Sequence, residues 1–429
     1  MNKNITHGLW AETAPPPPDL SSFKGDRKSD VVIIGGGYTG LSAALHLAEK
    51  GTDTVLLEAE HIGFGGAGRN VGLVNAGLWL MPDDVVKIIG REYGDRVINE
   101  LGNSPDLVFN LIEKHGIDCE AVRNGTLHCA HSRGGYKALE QREEQWQKRG
   151  ASVKLLNKQE ADSVTGSRSF HGALLDLRAG TVQPLAYARG LAHAAKDAGA
   201  DLFIGSSVTK MEQQGKKWKI TTPGGTITAK AVIQACQGYA SHGFKKNMKT
   251  LIPFNFFQFA TKPLPQTIRK TILPQGHGAW DTNMILSSYR LDRAGHLIIG
   301  SVGSVDRFGF SLHKNWAQRS IKKVFPQIME NGYEPELEYG WYGRIAMTTN
   351  HVPRFHVFSD NNICVTCYNG RGIGPGTLFG KLMAQYFLND AHDNIPLPVS
   401  SQKNIMTRKI RGFFYESGAR AYHFIQKRI

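Results

Sequence analysis

The 429-residue chain is poor in cysteine, with only Cys119, Cys129, Cys236, Cys364 and Cys367, and none at a disulfide-framework spacing. An odd, scattered set excludes a disulfide-stapled secreted module and points to a reducing cytoplasm. Cys364 and Cys367 form a C-x-x-C, but no second pair and no histidines stand at matching spacing, so no metal is expected. The pair reads instead as small apolar residues alternating in and out of a buried strand. No apolar run approaches the ~20 residues of a membrane span. Met1 to Lys28 is polar and carries Pro15–Pro18, which describes an extended arm, docked through Trp10, rather than a signal peptide. The net charge of +14 comes with no recognition helix, zinc finger or RNA-binding signature, so nucleic acid is not an expected partner. Scattered cations of this kind form a solvated surface. A bias toward anionic substrates, or weak contact of the basic tail with acidic lipid at the inner face of the membrane, is the secondary reading.

What the chain does have is enough apolar residues (41%) for a large core in two intertwined domains, and 48 glycines for close backbone approach to a ligand. Asp30-Val-Val-Ile-Ile34 is a short β-branched run suited to a buried parallel strand. Gly35-Gly-Gly-Tyr-Thr-Gly40 follows, and Leu41 to Lys50 then shows helical spacing. Gly35, Gly37 and Gly40 thus spell G-x-G-x-x-G between a strand and a helix, with Tyr38 and Thr39 opening the helix. In such a turn the first glycine permits the bend, the second admits a diphosphate and the third allows helix–strand packing. The helix N-terminus adds free N–H groups and partial positive charge. Glu58, at the end of the next strand (Thr54–Leu57), is placed to accept ribose hydroxyls. Its charge disfavours NADP, whose 2′-phosphate it would repel, but does not separate NAD from FAD.

Further along, residues 83–115 and 136–149 read as helical, Pro184–Ala198 as an alanine-rich helix, and 250–345 as mixed or antiparallel sheet. Ile363–Thr366 is a last apolar strand, followed by a glycine loop and a helix from about Thr377 to Leu388. Ile405–Ile429 could form an amphipathic helix.

From Asp30 to Asn389 the chain resembles the FAD-dependent amine and amino-acid oxidases, the superfamily of D-amino-acid oxidase, glycine oxidase and monomeric sarcosine oxidase. The pattern is nearest to the branch of γ-glutamylputrescine oxidase and L-pipecolate oxidase. Besides the glycine motif with Glu58, four segments carry the resemblance. Gly68-Arg69-Asn70-Val71-Gly72 is similar to a loop over the flavin. Val182-Gln-Pro184 with Ser206-Ser-Val208 is similar to the adenine-holding segment, whose following strand ends at Cys236–Gly238. Trp341-Tyr-Gly-Arg344 leads through Asn350-His351 to Pro353. Tyr368-Asn369-Gly370-Arg371-Gly372-Ile373-Gly374, running on to Thr377, resembles the loop that brings N–H groups to the pyrimidine edge of the flavin. The absence of cysteine between Trp341 and Pro353 implies noncovalent FAD.

The implied architecture is a Rossmann-like α/β FAD-binding domain (29–86, 152–243 and 343–395) interleaved with a substrate domain (87–151 and 244–342). That second domain is built on a mixed or antiparallel sheet, and an arm (1–28) and a basic helical tail (396–429) flank the whole. The implied activity is oxidation of the C–N bond of a small amino acid or amine by hydride transfer to flavin N5. It would yield an imine and, with O₂ as acceptor, hydrogen peroxide, a secondary amino acid such as L-pipecolate being favoured. γ-Glutamylputrescine or another primary amine is the rival substrate, and a membrane quinone the rival acceptor. Arg344 and Arg290 are the candidate carboxylate clamps, since a guanidinium fork matches a carboxylate. Tyr289 and Tyr368 are candidate pocket polar groups, and His351 a candidate proton acceptor. Arg371, beside a helix N-terminus, is placed to stabilise charge developing on the flavin.

Overall fold

The computed structural model describes residues 7–239, 250–306, 309–330, 332–388, 393–401 and 404–426. The expected domain boundary at 243/244 lies outside them. The run Asp30–Ile34 sits in a strand, Gly25–Ile34, that is central to an eight-stranded sheet and pairs in parallel with Thr54–Leu57 and Gly225–Gln234. Asp201–Phe203 extends one side, Asn362–Thr366 and Arg354–Ser359 the other, and a hairpin of Lys210–Gln214 and Lys217–Thr222 leans on Gly225–Gln234. Burial on both faces explains the uninterrupted apolar run Val31–Ile34, as parallel strands require. The helices Tyr38–Ala48, Pro184–Asp197 and Ile373–Leu388 pack together against this sheet. Cys364 lies in the last apolar strand and Cys367 just beyond it; both are buried free thiols.

The second eight-stranded sheet runs in the order Leu337–Met347, Ile252–Pro263, His296–Val302, Ser287–Leu291, Gly278–Asp281, Thr126–Cys129, Ala173–Asp176 and Val153–Leu156. It is antiparallel except where Gly278–Asp281 meets Thr126–Cys129. Two expectations are corrected here. Residues 152–176, assigned by sequence to the FAD-binding domain, give both their strands to this second sheet, because Ala173–Asp176 pairs with Thr126–Cys129. Within the stretch read as sheet, Gly309–Val324 is a helix, and its buried residues His313, Trp316, Ala317, Ser320, Ile321 and Val324 fall on one helical face.

The arm docks as expected. Trp10 is fully buried and donates from Nε1 to the Asn70 carbonyl at 3.0 Å. The tail forms a helix, Arg408–Ile425, packed on Ile252–Pro263 and Gly309–Val324. No helix among the described residues is long and apolar enough to cross a membrane.

Candidate active site

A cavity of about 1060 Å³ runs from the Gly35–Thr39 turn, past the loop Gly65–Val71, to the mouth beside the tail helix. Gly37 is the N-cap of the helix Tyr38–Ala48 and no side chain caps it, so the helix's leading N–H groups face the cavity. The Gly36 N–H is already taken, donating to Glu58 Oε2 at 2.6 Å, while Oε1 accepts from the Glu60 N–H at 2.9 Å. Burial pushes the Glu58 carboxyl above its ordinary pKa, and these backbone bonds oppose the shift. Ser207, Val208, Cys236 and Gly238 complete this end of the wall.

The loop after the second strand is fixed by its own polar groups. Asn70 Nδ2 donates to the Gly66 and Ala67 carbonyls and to the Tyr38 hydroxyl, and Asn70 Oδ1 accepts from the Gly72 N–H. The Tyr38 hydroxyl in turn donates to Ala67 and Pro184 carbonyls. Arg69, only 1% exposed, lies over the Phe64 ring at 4.6 Å, and burial lowers its pKa. Asn369 Oδ1 accepts from the Thr348 N–H at 2.8 Å, and the Tyr368 hydroxyl bonds Thr39 Oγ1 at 2.9 Å. That bond makes Tyr368 a wall group whose hydroxyl ties its loop to the start of the helix Tyr38–Ala48.

The cavity brings together Gly35, Gly37, Tyr38, Thr39, Glu58, Arg69, Asn70, Val71, Val208 and Gly238 from the first part of the chain. From the last part it adds Arg344, His351, Tyr368, Asn369, Gly370, Gly372 and Ile373. Arg344 is exposed; its Nη1 donates to the Gly238 carbonyl at 3.4 Å and its guanidinium lies 5.5 Å from the Tyr239 ring centroid. Among the described residues no carboxylate lies within ion-pair distance of it. His351 has φ +56°, an uncommon conformation for a non-glycine residue, and burial holds its pKa below 6.5.

Several residues expected at the site do not line this cavity. Arg290 is 1% exposed and donates from Nη1 to the carbonyls of Val182 (2.5 Å), Val71 (3.3 Å) and Gly72 (3.4 Å), with Trp10 stacked near it. It shares a strand face with Ser288, which does line the cavity, but two residues further on that face meets the arm and the Val71–Gly72 loop. Tyr289 points to the opposite face and is buried against Phe170 and Phe325. Arg371 is buried between Trp79 and Trp280 and donates to the Ala76 carbonyl at 2.5 Å; burial lowers its pKa to about 9. Gly40 packs on Gly35, Gly72 on Val182 and Arg290, and Gly374 on Ser104. Thr377 is buried between Tyr187 and the Ile373 carbonyl. These residues shape the cradle from behind.

Arg290→Met should therefore act on stability. Leaving its carbonyl partners unsatisfied costs about 1–3 kcal/mol, so the expected result is a lower Tm with unchanged KM. A raised KM at unchanged Tm would return Arg290 to the substrate site.

The sequence did not single out the remaining wall: Phe64, Trp79, Tyr239, Phe254, Phe256 and Trp280, with Phe414, Tyr415, Ala419 and Tyr422 from the tail helix. Only long-range pairing brings these aromatic residues together, and no local motif marks them. Among the described residues the only acids in the wall, Glu58 and Glu60, stand at the Gly35–Thr39 end. Among the described residues no group of three His, Cys, Asp or Glu is arranged to hold a metal ion.

The cradle fits the FAD that the resemblance implies. A Cβ at Gly372 would meet nothing within 4 Å, one at Gly37 only Ala67 at 3.7 Å, and the uncapped helix start supplies donors for a diphosphate. Comparison with known proteins agrees. The family described as FAD dependent oxidoreductase (DAO) matches residues 30–386. The chain is 31% identical over 372 residues to the gamma-glutamylputrescine oxidoreductase of Escherichia coli, covering 84% of each. It is 30% identical over 370 residues to the probable oxidoreductase OrdL of Haemophilus influenzae, covering 84% of this chain and 83% of that one. Its fold is similar to L-proline dehydrogenase from P. horikoshii (TM-score 0.70, 19% identity, 87% and 96% of the chains). It is also similar to glycine oxidase from Geobacillus kaustophilus (TM-score 0.67, 20% identity, 83% and 94%). A dinucleotide cradle opening into an aromatic chamber and a family match over most of the chain lead to one conclusion: this protein belongs to the DAO family of FAD-dependent oxidoreductases, with FAD as its noncovalent cofactor.

Proposed function

We propose that the enzyme oxidises the C–N bond of a small amino acid, with a secondary amino acid such as L-pipecolate favoured. The observation that carries this reading is Arg344, an arginine in the cavity wall with no acidic partner among the described residues, facing a chamber that is otherwise largely aromatic and apolar. Arg344 holds the substrate carboxylate, the aromatic wall holds the carbon skeleton and excludes water, and FAD, when bound, supplies the two-electron acceptor. The substrate nitrogen lone pair becomes the second bond of C=N as the neighbouring C–H bond is broken. The imine is then hydrolysed in water. O₂ takes up the two electrons with two protons and leaves as hydrogen peroxide.

The reacting amine must be neutral. His351, half-buried in the same wall, accepts its proton, and burial favours the neutral imidazole that this task needs. Its pKa lies below 6.5, so kcat/KM should fall as the pH drops through that lowered value. His351→Gln should lose that acid limb, and an unchanged profile would remove His351 from the proton path.

A second substrate, γ-glutamylputrescine, is favoured by the 31% identical relative, and its distal carboxylate would be held by Arg344. One experiment separates the two readings. Purified holoenzyme is mixed anaerobically with each substrate and flavin bleaching is followed near ~450 nm, where oxidised flavin absorbs. Bleaching by L-pipecolate supports the first reading. Bleaching only by γ-glutamylputrescine supports the second, and no bleaching by any amine or amino acid rejects both. Slow reoxidation by O₂ would replace oxygen with another acceptor.

A further inference from the structure

The tail helix Arg408–Ile425 has two unlike faces. Its inner face is fastened by polar contacts. Glu416 Oε1 accepts from the Ser304 N–H (2.9 Å) and hydroxyl (2.7 Å), the His423 and His313 rings meet at 3.0 Å, and Trp316 Nε1 donates to Gln426 at 2.9 Å. Ala419 is fully buried on this side. The outward stripe is apolar. Ile410, Phe413 and Phe414 stand at i, i+3 and i+4 and are 71%, 73% and 73% exposed. Ser417, Ala421 and Ile425 continue the same line, all exposed, and Met406 precedes it, 95% exposed. Met284, 89% exposed, extends the patch from the neighbouring loop, and both Met284 and Phe414 also line the cavity mouth.

A helix whose solvent side is its apolar side is built to be covered. The charge of this segment of the sequence indicates what covers the stripe. Between 396 and 429 the sequence has seven cations, Lys403, Arg408, Lys409, Arg411, Arg420, Lys427 and Arg428, against one acid, Glu416. That acid is turned inward to Ser304. A second copy of the chain would bring like charge against like charge, whereas an anionic bilayer surface offers apolar depth and opposite charge together. We propose that this helix docks the enzyme on an anionic lipid surface, with Ile410, Phe413 and Phe414 entering the headgroup boundary and the cavity mouth beside it. This docking does not depend on which amine is oxidised.

The test is co-sedimentation of FAD-loaded protein with vesicles of phosphatidylcholine and phosphatidylglycerol, at roughly three-to-one, beside pure phosphatidylcholine. The protein should pellet with the anionic vesicles and far less with the neutral ones, and raised salt should weaken binding. Ile410→Ser with Phe413→Ser, neither residue lining the cavity, should weaken partitioning about tenfold or more while flavin content and turnover in solution stay unchanged. Arg408→Glu with Arg411→Glu should lose about tenfold on anionic vesicles alone. The proposal is overturned if the wild type stays in the supernatant, if both double variants pellet like the wild type, or if sedimentation velocity shows a dimer that the Ile410/Phe413 variant dissociates.

Discussion

Gly40→Ala should yield protein that binds FAD about 10- to 100-fold more weakly. A Cβ at this position would lie 1.9 Å from the Gly35 carbonyl oxygen, 3.1 Å from its carbon and 3.3 Å from Ile33. The first of these is backbone of the strand-to-helix turn and has no rotamer to yield. The helix Tyr38–Ala48 must therefore lift off the strand, carrying with it the N–H groups at its start that face the cavity. Overpacking of this kind costs about 1–3 kcal/mol. Because the displaced atoms are those that would receive the diphosphate, much of the cost falls on FAD affinity, where each 1.4 kcal/mol is roughly tenfold. Gly134→Ala, in the exposed helix Arg133–Gln147 with only Ser132 Oγ at 3.9 Å, is the control and should keep full flavin. The flavin-to-protein ratio after dialysis and the Tm with and without added FAD report the outcome. A fully yellow Gly40→Ala protein of unchanged Tm would show that the tight approach is dispensable.

Gly40 also shows what the sequence discloses best. The G-x-G-x-x-G turn and its flanking strand are local, and the turn, strand and helix stand where the spacing put them, with Glu58 bonded to the Gly36 N–H of that turn. Asn70, read from the sequence as a flavin-contacting residue, spends its side chain on its own loop. Long-range pairing was less legible. Ala173–Asp176 carries no mark that it pairs with Thr126–Cys129 rather than with a strand of the parallel sheet, and the Leu127–Leu175 register decides its place. Arg290 and Arg344 look alike in sequence, each on a strand of the second sheet and each near an aromatic residue. Which one meets the cavity depends on where the arm crosses the sheet, and that is set by Trp10 burying itself 60 residues away from the Asn70 carbonyl it binds. The tail helix was legible as amphipathic, but not which face would be fastened. Its inner face is held by the polar groups Glu416 and His423, so the usual rule of apolar side inward would have reversed it.

Arg344→Met should lower kcat/KM for a carboxylate substrate about 30- to 100-fold and leave a simple amine lacking a carboxylate nearly untouched. Truncating one partner of a hydrogen-bonded charge pair costs about 2–5 kcal/mol. Arg344 is exposed in the free enzyme, where water screens the pair, so the lower part of that range applies. Among the described residues the guanidinium has few competing ties: a 3.4 Å bond to the Gly238 carbonyl and the face of Tyr239. It is therefore free to turn both its N–H edges to a carboxylate. If that bond is equally strong in ground and transition states, the loss appears as raised KM with kcat preserved; if it orients the reacting carbon, kcat falls with it. Arg344→Lys retains charge but not the two-pronged geometry and should fall between the two enzymes. Flavin content must stay at the wild-type level, since the Arg344 backbone N–H, which donates to the Tyr239 hydroxyl at 2.6 Å, survives the substitution. Equal losses for carboxylate and simple amine substrates would mean that Arg344 shapes the wall and that the carboxylate is held elsewhere. Arg69, the other guanidinium lining the cavity, would then be the next residue to replace.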